Sequence, residues 1–337
     1  MFQGHGDDGY LHHQPLAADF STNVYHGGAP AGLKEYLFNQ WEKVQRYPEV
    51  LAESLTKKIA AHYGFDNDQV LVTNGSTESI YLIAQAFKMK RTAIVVPAFA
   101  EYEDACHMFD HQISFISWEL LHTALDGEYD LLYICNPNNP TGAVVSDLEQ
   151  LIAQYPQLIF AVDEAFIEFT FAVPSLLKLT EKYSNLVVMR SMTKVYAIPG
   201  LRLGYIVAHP MLTRLFRANK LPWTVNTMAL NAGHFIFDHF DQLQLPLTTL
   251  LADKAVFVEQ LSATRLAVLD SNTHFFLAET PFGTARELKQ FLLNHFNILV
   301  RDAANFRGLS ERHLRIATLS PANNNLLTNA LAEWKPI

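Results

Sequence analysis

Lys194 stands in the stretch RSMTKVYAIPGLRLGY, residues 190–205, between small hydroxyl residues and a Pro-Gly turn that leads to Arg202. A lysine at the end of a β-rich run is more often a solvated charge. It can instead form a Schiff base with an aldehyde where burial and neighbouring charges lower its pKa. Asp163 closes the apolar run LIFAV, where an unpaired carboxylate is costly and needs a cationic or hydrogen-bonding partner. Two readings fit it: a helix N-cap, common for Asp after a strand, or a carboxylate held against a protonated heterocyclic nitrogen. NGSTES, residues 74–79, lies between a strand-like and a helix-like stretch. There Gly75 would let the chain turn tightly while Ser76, Thr77 and a helix N-terminus offer N–H donors to an anion. The same letters also make an ordinary capping motif. Ser191 and Arg202 could bring a hydroxyl and a bidentate cation to that anion. CNPNNPTG, residues 135–142, reads as a plain turn or as a loop that fixes a side-chain amide over a ligand, with an X-Pro bond able to be cis.

A lysine and an acid on neighbouring strand ends are the two groups that pyridoxal phosphate chemistry requires. The lysine carries the cofactor, and the acid on the pyridine nitrogen keeps the ring an electron sink. The elements that would position them are read from the hydrophobic pattern. From Val70, the runs VLVT, TAIVVP, ISFIS, LLYICN, LIFAVDEA, NLVVMRS and LGYIVA alternate with helix-like stretches such as STESIYLIAQAFK and VSDLEQLIAQY. Continuous apolar strands between helices predict an α/β fold, a three-layer sandwich around a mostly parallel sheet. Such sheets bind ligands at the carboxyl ends of their strands, which is where all four stretches fall. Residues 226–337 predict a smaller α+β domain, residues 41–225 the large domain, and residues 1–40 an arm that joins the small one.

At 337 residues, 49% hydrophobic and 18% charged, the chain is expected to be an ordinary globular enzyme. A net charge of −9 without a basic block makes nucleic acid an unexpected partner. A small anionic substrate stays open, because a pocket can be basic inside an acidic protein. Cys106 and Cys135 make no framework and suit a reducing compartment. With no signal-peptide layout and no apolar run long enough for a membrane span, the expected location is the cytoplasm. No metal site is expected.

Together these motifs resemble the class I/II aminotransferase family, fold type I of the pyridoxal-phosphate enzymes. Residues 191–204 fit the lysine signature of that family at every position, and four motifs in the right order span most of residues 47–204. The resemblance implies that Lys194 carries the cofactor as a Schiff base and that Asp163 pairs with the pyridine nitrogen. It implies that Asn139, in NNPTG, donates to the phenolic oxygen of the ring and that Phe99, in PAFAEY, stacks on it. Gly75, Ser76, Thr77, Ser191 and Arg202 would hold the phosphate. Tyr47, in RYPE, would reach the cofactor phosphate of a second subunit, which implies a homodimer with shared active sites. Two branches look nearest, threonine-phosphate decarboxylases and histidinol-phosphate aminotransferases, and DEAFIEF, LPWTVN and ILVRDAANFRGLSERHLRIA are more like the first. Phe166 stands where the aminotransferase branch carries a tyrosine, whose hydroxyl a phenylalanine cannot replace. The resemblance further places Arg315 on the substrate carboxylate, and Arg301, Asn23 and His5 at the phosphate of a small phosphorylated amino acid. One departure concerns Asn23, which runs into VYHGGAP where the decarboxylase pattern is NPLG-like. Regulators with this fold carry a DNA-binding domain in front, which the roughly 30 irregular residues before Gly32 are not expected to supply.

Overall fold

The structure is a computed structural model that describes residues 9–11, 15–125 and 129–335. Strand β1 (Ala18–Asp19) belongs to the arm, and seven strands come after it: β2 (Val70–Thr73), β3 (Arg91–Val96), β4 (Gln112–Ser117), β5 (Leu131–Cys135), β6 (Ile159–Asp163), β7 (Leu186–Ser191) and β8 (Gly204–Ala208). These seven form one sheet in the order β2-β8-β7-β6-β5-β3-β4, and they are the seven runs expected as strands. Pairing is parallel from β4 through β7, while β8 runs antiparallel to both β7 and β2. All but β8 therefore point the same way. Strands β2, β5, β7 and β8 are buried at every position, because helices cover both faces and apolar residues must fill both.

Register decides what the strand ends can do together. Cys135 sits beside Asp163, Asp163 beside Met189, Ser191 beside Gly204, and Gly204 beside Thr73. The turn after Thr73, the loop after Cys135, Asp163 itself and the turn after Ser191 thus open on one edge of the sheet. Three X-Pro bonds near that edge are cis: Val96–Pro97, Asn136–Pro137 and Asn139–Pro140.

The C-terminal part builds a second layer. Strands β9 (Ala267–Val268), β10 (Phe275–Glu279), β11 (Ile298–Leu299), β12 (Arg301–Asp302) and β13 (His313–Ala317) complete the strands among the described residues. A four-stranded antiparallel sheet takes the order β12-β13-β10-β9, and β1 pairs in parallel with β11. Phe20 of the arm packs with Phe257, Phe276, Leu288 and Leu327 in this second core. Leu33 and the helix Thr227–Asp238 bury Leu230, Phe235 and Ile236 in the larger core. Gly233 brings that helix close to Leu55, whose side chain would lie 2.5 Å from a Cβ added there. Among the described residues no helix is long and apolar enough to cross a membrane.

Candidate active site

The strand-end loops enclose a cavity of about 300 Å³, lined by Asn23, Ser76, Thr77, Phe99, Asn139, Asp163, Lys194, Arg301 and Arg315 among others. With Phe166, ten of the residues singled out in the sequence therefore converge, and they come from both sheets and from the arm. The departure after Asn23 does not displace that residue.

Asp163 ends β6 with 4% of its surface exposed. Its Oδ1 accepts the Ala165 backbone N–H at 2.9 Å and its Oδ2 accepts the Tyr102 hydroxyl at 2.8 Å. Burial pushes the carboxyl up, while the two donors and the Lys194 charge pull it back. A buried carboxylate on a cavity wall stays ionised best against a cation placed in that cavity. Tyr102 is wholly buried, stacks on Tyr133 at 5.2 Å, and is held protonated by burial and by the Asp163 charge. The helix Glu101–Met108 places it three residues after Phe99 in FAEY, a spacing that brings both rings to the same side of the site.

Lys194 lies in the four-residue helix Met192–Val195 directly after β7, and its carbonyl accepts the Tyr25 N–H at 3.0 Å. Arg202 has a left-handed backbone, φ 61°, a conformation that costs a non-glycine residue about 1–3 kcal/mol and persists where the surroundings demand it. Its Nη2 approaches the Thr77 hydroxyl at 3.5 Å. Gly75 turns at φ +75°, and a Cβ added there would lie 2.6 Å from the same guanidinium. Ser191 is buried and its hydroxyl meets that of Thr193 at 2.8 Å. Gly75 and Arg202 adjoin the Ser76–Thr77 wall, and neither they nor Ser191 line the cavity themselves.

On the opposite wall, Asn139 Oδ1 accepts from Arg315 Nη1 at 2.6 Å and from Asn23 Nδ2 at 3.5 Å. With its oxygen so occupied, the amide N–H groups of Asn139 are the donors left for the cavity. Arg315 Nη2 donates to the Ser21 carbonyl at 2.6 Å. Burial, with Arg301 adding to it, brings the Arg315 guanidinium down to about 9, the signature of a cation short of an anion. Arg315 Nε and Asn23 Oδ1 are buried without hydrogen-bond partners among the described residues. Arg301 is buried, donates to Asn305 Oδ1 at 2.7 Å, and lies over the Phe306 ring. Phe166 lines the cavity, edge-on to Phe275 at 4.9 Å, and has no polar group to offer.

Two residues stand apart. Tyr47 is 85% exposed and touches Trp223 at 5.3 Å between rings, outside the cavity. His5 falls outside the described residues. Tyr102, Ser21, Asn305 and His274 carry the site without having been singled out. Only Tyr102 had a usable signal, its place one turn after Phe99. His274 is buried face-to-face on Phe169 at 3.9 Å, and its Nε2 meets the Asn23 carbonyl at 3.2 Å.

The donor set fits pyridoxal phosphate. A buried acid, an amine, an amide donor and a glycine turn under a guanidinium answer to a pyridine nitrogen, an aldehyde, a phenolic oxygen and a phosphate. Comparison with known proteins points the same way. Residues 18–331 match the family model for aminotransferase class I and II. The threonine-phosphate decarboxylase of Salmonella typhimurium is 32% identical, over 93% of this chain and 90% of its own. A histidinol-phosphate aminotransferase of Mannheimia succiniciproducens is 30% identical, over 90% of this chain and 86% of its own. The crystal structure of L-threonine-O-3-phosphate decarboxylase from Porphyromonas gingivalis superposes with a TM-score of 0.90 at 38% identity, covering 93% of this chain and 98% of that one. A match over nearly the whole length, on a fold that gathers an acid, a lysine and a buried arginine at one sheet edge, makes this chain a member of the aminotransferase class I and II family.

Proposed function

We propose that this protein is a pyridoxal-phosphate-dependent lyase that removes the carboxylate of threonine phosphate, working in the cytoplasm as a homodimer with shared sites. The observation that carries the chemistry is the convergence of Asp163, Lys194, Asn139 and Arg315 on one cavity. The choice of substrate is supported by the likeness to the two decarboxylases over nine-tenths of the chain. Cys106 and Cys135, both free and buried, suit a reducing compartment.

When bound, pyridoxal phosphate supplies an electron sink for whichever Cα bond stands perpendicular to its ring. The residues here set which bond that is. Arg315 holds the substrate carboxylate, while Arg301 and Asn23 take the phosphate at the other end. Asp163 keeps negative charge at the pyridine nitrogen, and Tyr102 and the Ala165 N–H hold that carboxylate in place. Asn139 donates to the phenolic oxygen, alone, because Phe166 cannot. Phe99 covers the ring face. Ser76, Thr77, Ser191 and Arg202 meet the cofactor phosphate, and Tyr47 reaches that of the second subunit. The Lys194 amine would be the group placed to deliver a proton to Cα in exchange for the departing carboxylate.

The test is direct. Threonine phosphate should release carbon dioxide with no keto acid present. Histidinol phosphate with 2-oxoglutarate should form no glutamate; glutamate formation would assign the chain to the aminotransferase reading instead. Silence with both substrates removes the assignment. Lys194→Ala should abolish the longer-wavelength absorbance band of the Schiff base between lysine and cofactor and lower turnover at least about a thousandfold.

A further inference from the structure

Behind the Ser76–Thr77 wall lies an ion pair that the proposed chemistry does not use. Glu78, on the first turn of the helix Gly75–Ala86, folds back so that its Oε2 accepts the Asn74 N–H at 2.6 Å. The same oxygen takes the Lys220 ammonium at 2.6 Å, and Lys220 also donates to the Thr224 hydroxyl. The Lys220 side chain is 0% exposed and that of Glu78 only 16%. Burial holds Lys220 below the ordinary lysine range, and Glu78 opposes that shift. Asn74 directly precedes Gly75, the residue under the Arg202 guanidinium. A carboxylate and a guanidinium therefore brace one short turn.

The N-terminus of a helix favours any anion. Glu78 and a cofactor phosphate would occupy the same field, and a half-buried carboxylate on that first turn would repel a dianion. Lys220 removes the conflict. We infer that Lys220 is a positioning residue for the cofactor phosphate: it cancels the Glu78 charge, so that Glu78 can hold the Asn74–Gly75 turn without weakening the phosphate site. This rests on the reading of that turn as the phosphate cradle. Lys220 arrives on the loop whose Trp223 N–H donates to the Val50 carbonyl at 2.9 Å and whose Trp223 ring meets Tyr47. The cradle is thereby tied to the surface that bears Tyr47.

The probe is pyridoxamine 5′-phosphate, which keeps the phosphate but has no aldehyde for Lys194. Pyridoxal, which has the aldehyde but no phosphate, is the control. Dissociation constants are measured by calorimetry for the wild type, Lys220→Met, Glu78→Gln and the double variant. Lys220→Met should bind pyridoxamine phosphate about tenfold more weakly or worse. The double variant, neutral again, should return to within about threefold of wild type. Glu78→Gln should bind at least as tightly as wild type, and pyridoxal should bind all four alike. Equal weakening in Lys220→Met and the double variant, or a matching loss for pyridoxal, would mean a purely structural role and overturn the inference. An unchanged constant in Lys220→Met overturns it as well. Should Lys220→Met not fold, Glu78→Gln decides, because weaker phosphate binding there contradicts the charge argument. A wild-type chain that binds no pyridoxamine phosphate fails both the inference and the proposed function.

Discussion

Asp163 depends on a hydroxyl that comes from another strand–helix unit. Removing it in Tyr102→Phe leaves the carboxylate with the Ala165 N–H alone. A hydrogen bond to a charged group contributes about 1.5–3 kcal/mol, so turnover should fall roughly ten- to hundredfold while the fold survives. A steady-state assay beside a thermal melt checks both parts. His274 makes a prediction about pH. Burial, with His26, Arg315 and Lys194 nearby, brings its imidazole down to about 3, although the Asn23 carbonyl opposes this. In the unfolded chain it titrates near the ordinary ~6.5. Between those values the unfolded chain takes up a proton that the native state refuses. Stability is thus fully present above about pH 6.5 and drops by ~1.4 kcal/mol per unit as pH falls toward 3. His274→Gln keeps an N–H for the Asn23 carbonyl and removes the titration. Its unfolding free energy in urea should fall less steeply between pH 6.5 and 5 than that of wild type.

At the scale of elements, β8 carries the site through what it lacks. A Cβ on Gly204 would lie 2.7 Å from the Arg190 carbonyl oxygen and 2.8 Å from the Ser76 nitrogen, both backbone atoms that cannot swing away. Gly204→Ala should destabilise the protein by about 1–3 kcal/mol, since overpacking forces the backbone to move. It should also weaken cofactor binding at least about tenfold, because the atom displaced belongs to the Ser76 turn. Equal cofactor affinity in a destabilised variant would separate β8 from the cradle. The helix Ala285–Phe296 gives the contrast. Its capping box joins Thr284 and Glu287 far from the cavity. Thr284→Ala should cost about 1 kcal/mol of stability and leave turnover untouched.

For the whole molecule, the exposed apolar side chains are informative. Phe38, Trp41, Tyr47, Leu221 and Trp223 lie open on two segments that meet where the Tyr47 and Trp223 rings touch. Large apolar residues left open suit an interface, and a second copy is the occupant the proposed shared site would require there. Trp41→Glu should shift sedimentation from dimer to monomer and lower activity at least about tenfold, since Tyr47 could then reach no second site. A fully active monomer would refute the shared-site reading.

The sequence alone determined the class of fold and singled out about half of the residues that line the cavity. Seven apolar runs between helices point to a mostly parallel sheet, and the order of the Gly75, Asn139, Asp163 and Lys194 motifs places each on a strand end. Those features are local, written in periodicity and in turn residues. What the tertiary structure decided is everything that depends on register and on distant chain segments meeting. Tyr102 reaches Asp163 across 61 positions. Arg315 finds Asn139 across 176. The helix Thr227–Asp238 joins the larger core, with Gly233 set against Leu55 of a distant helix. Lys220 and Glu78 lie 142 positions apart and look like two ordinary surface charges until the fold buries them as a pair. No spacing in a chain encodes such contacts, because they are set by how the layers pack and not by the order of residues along the chain.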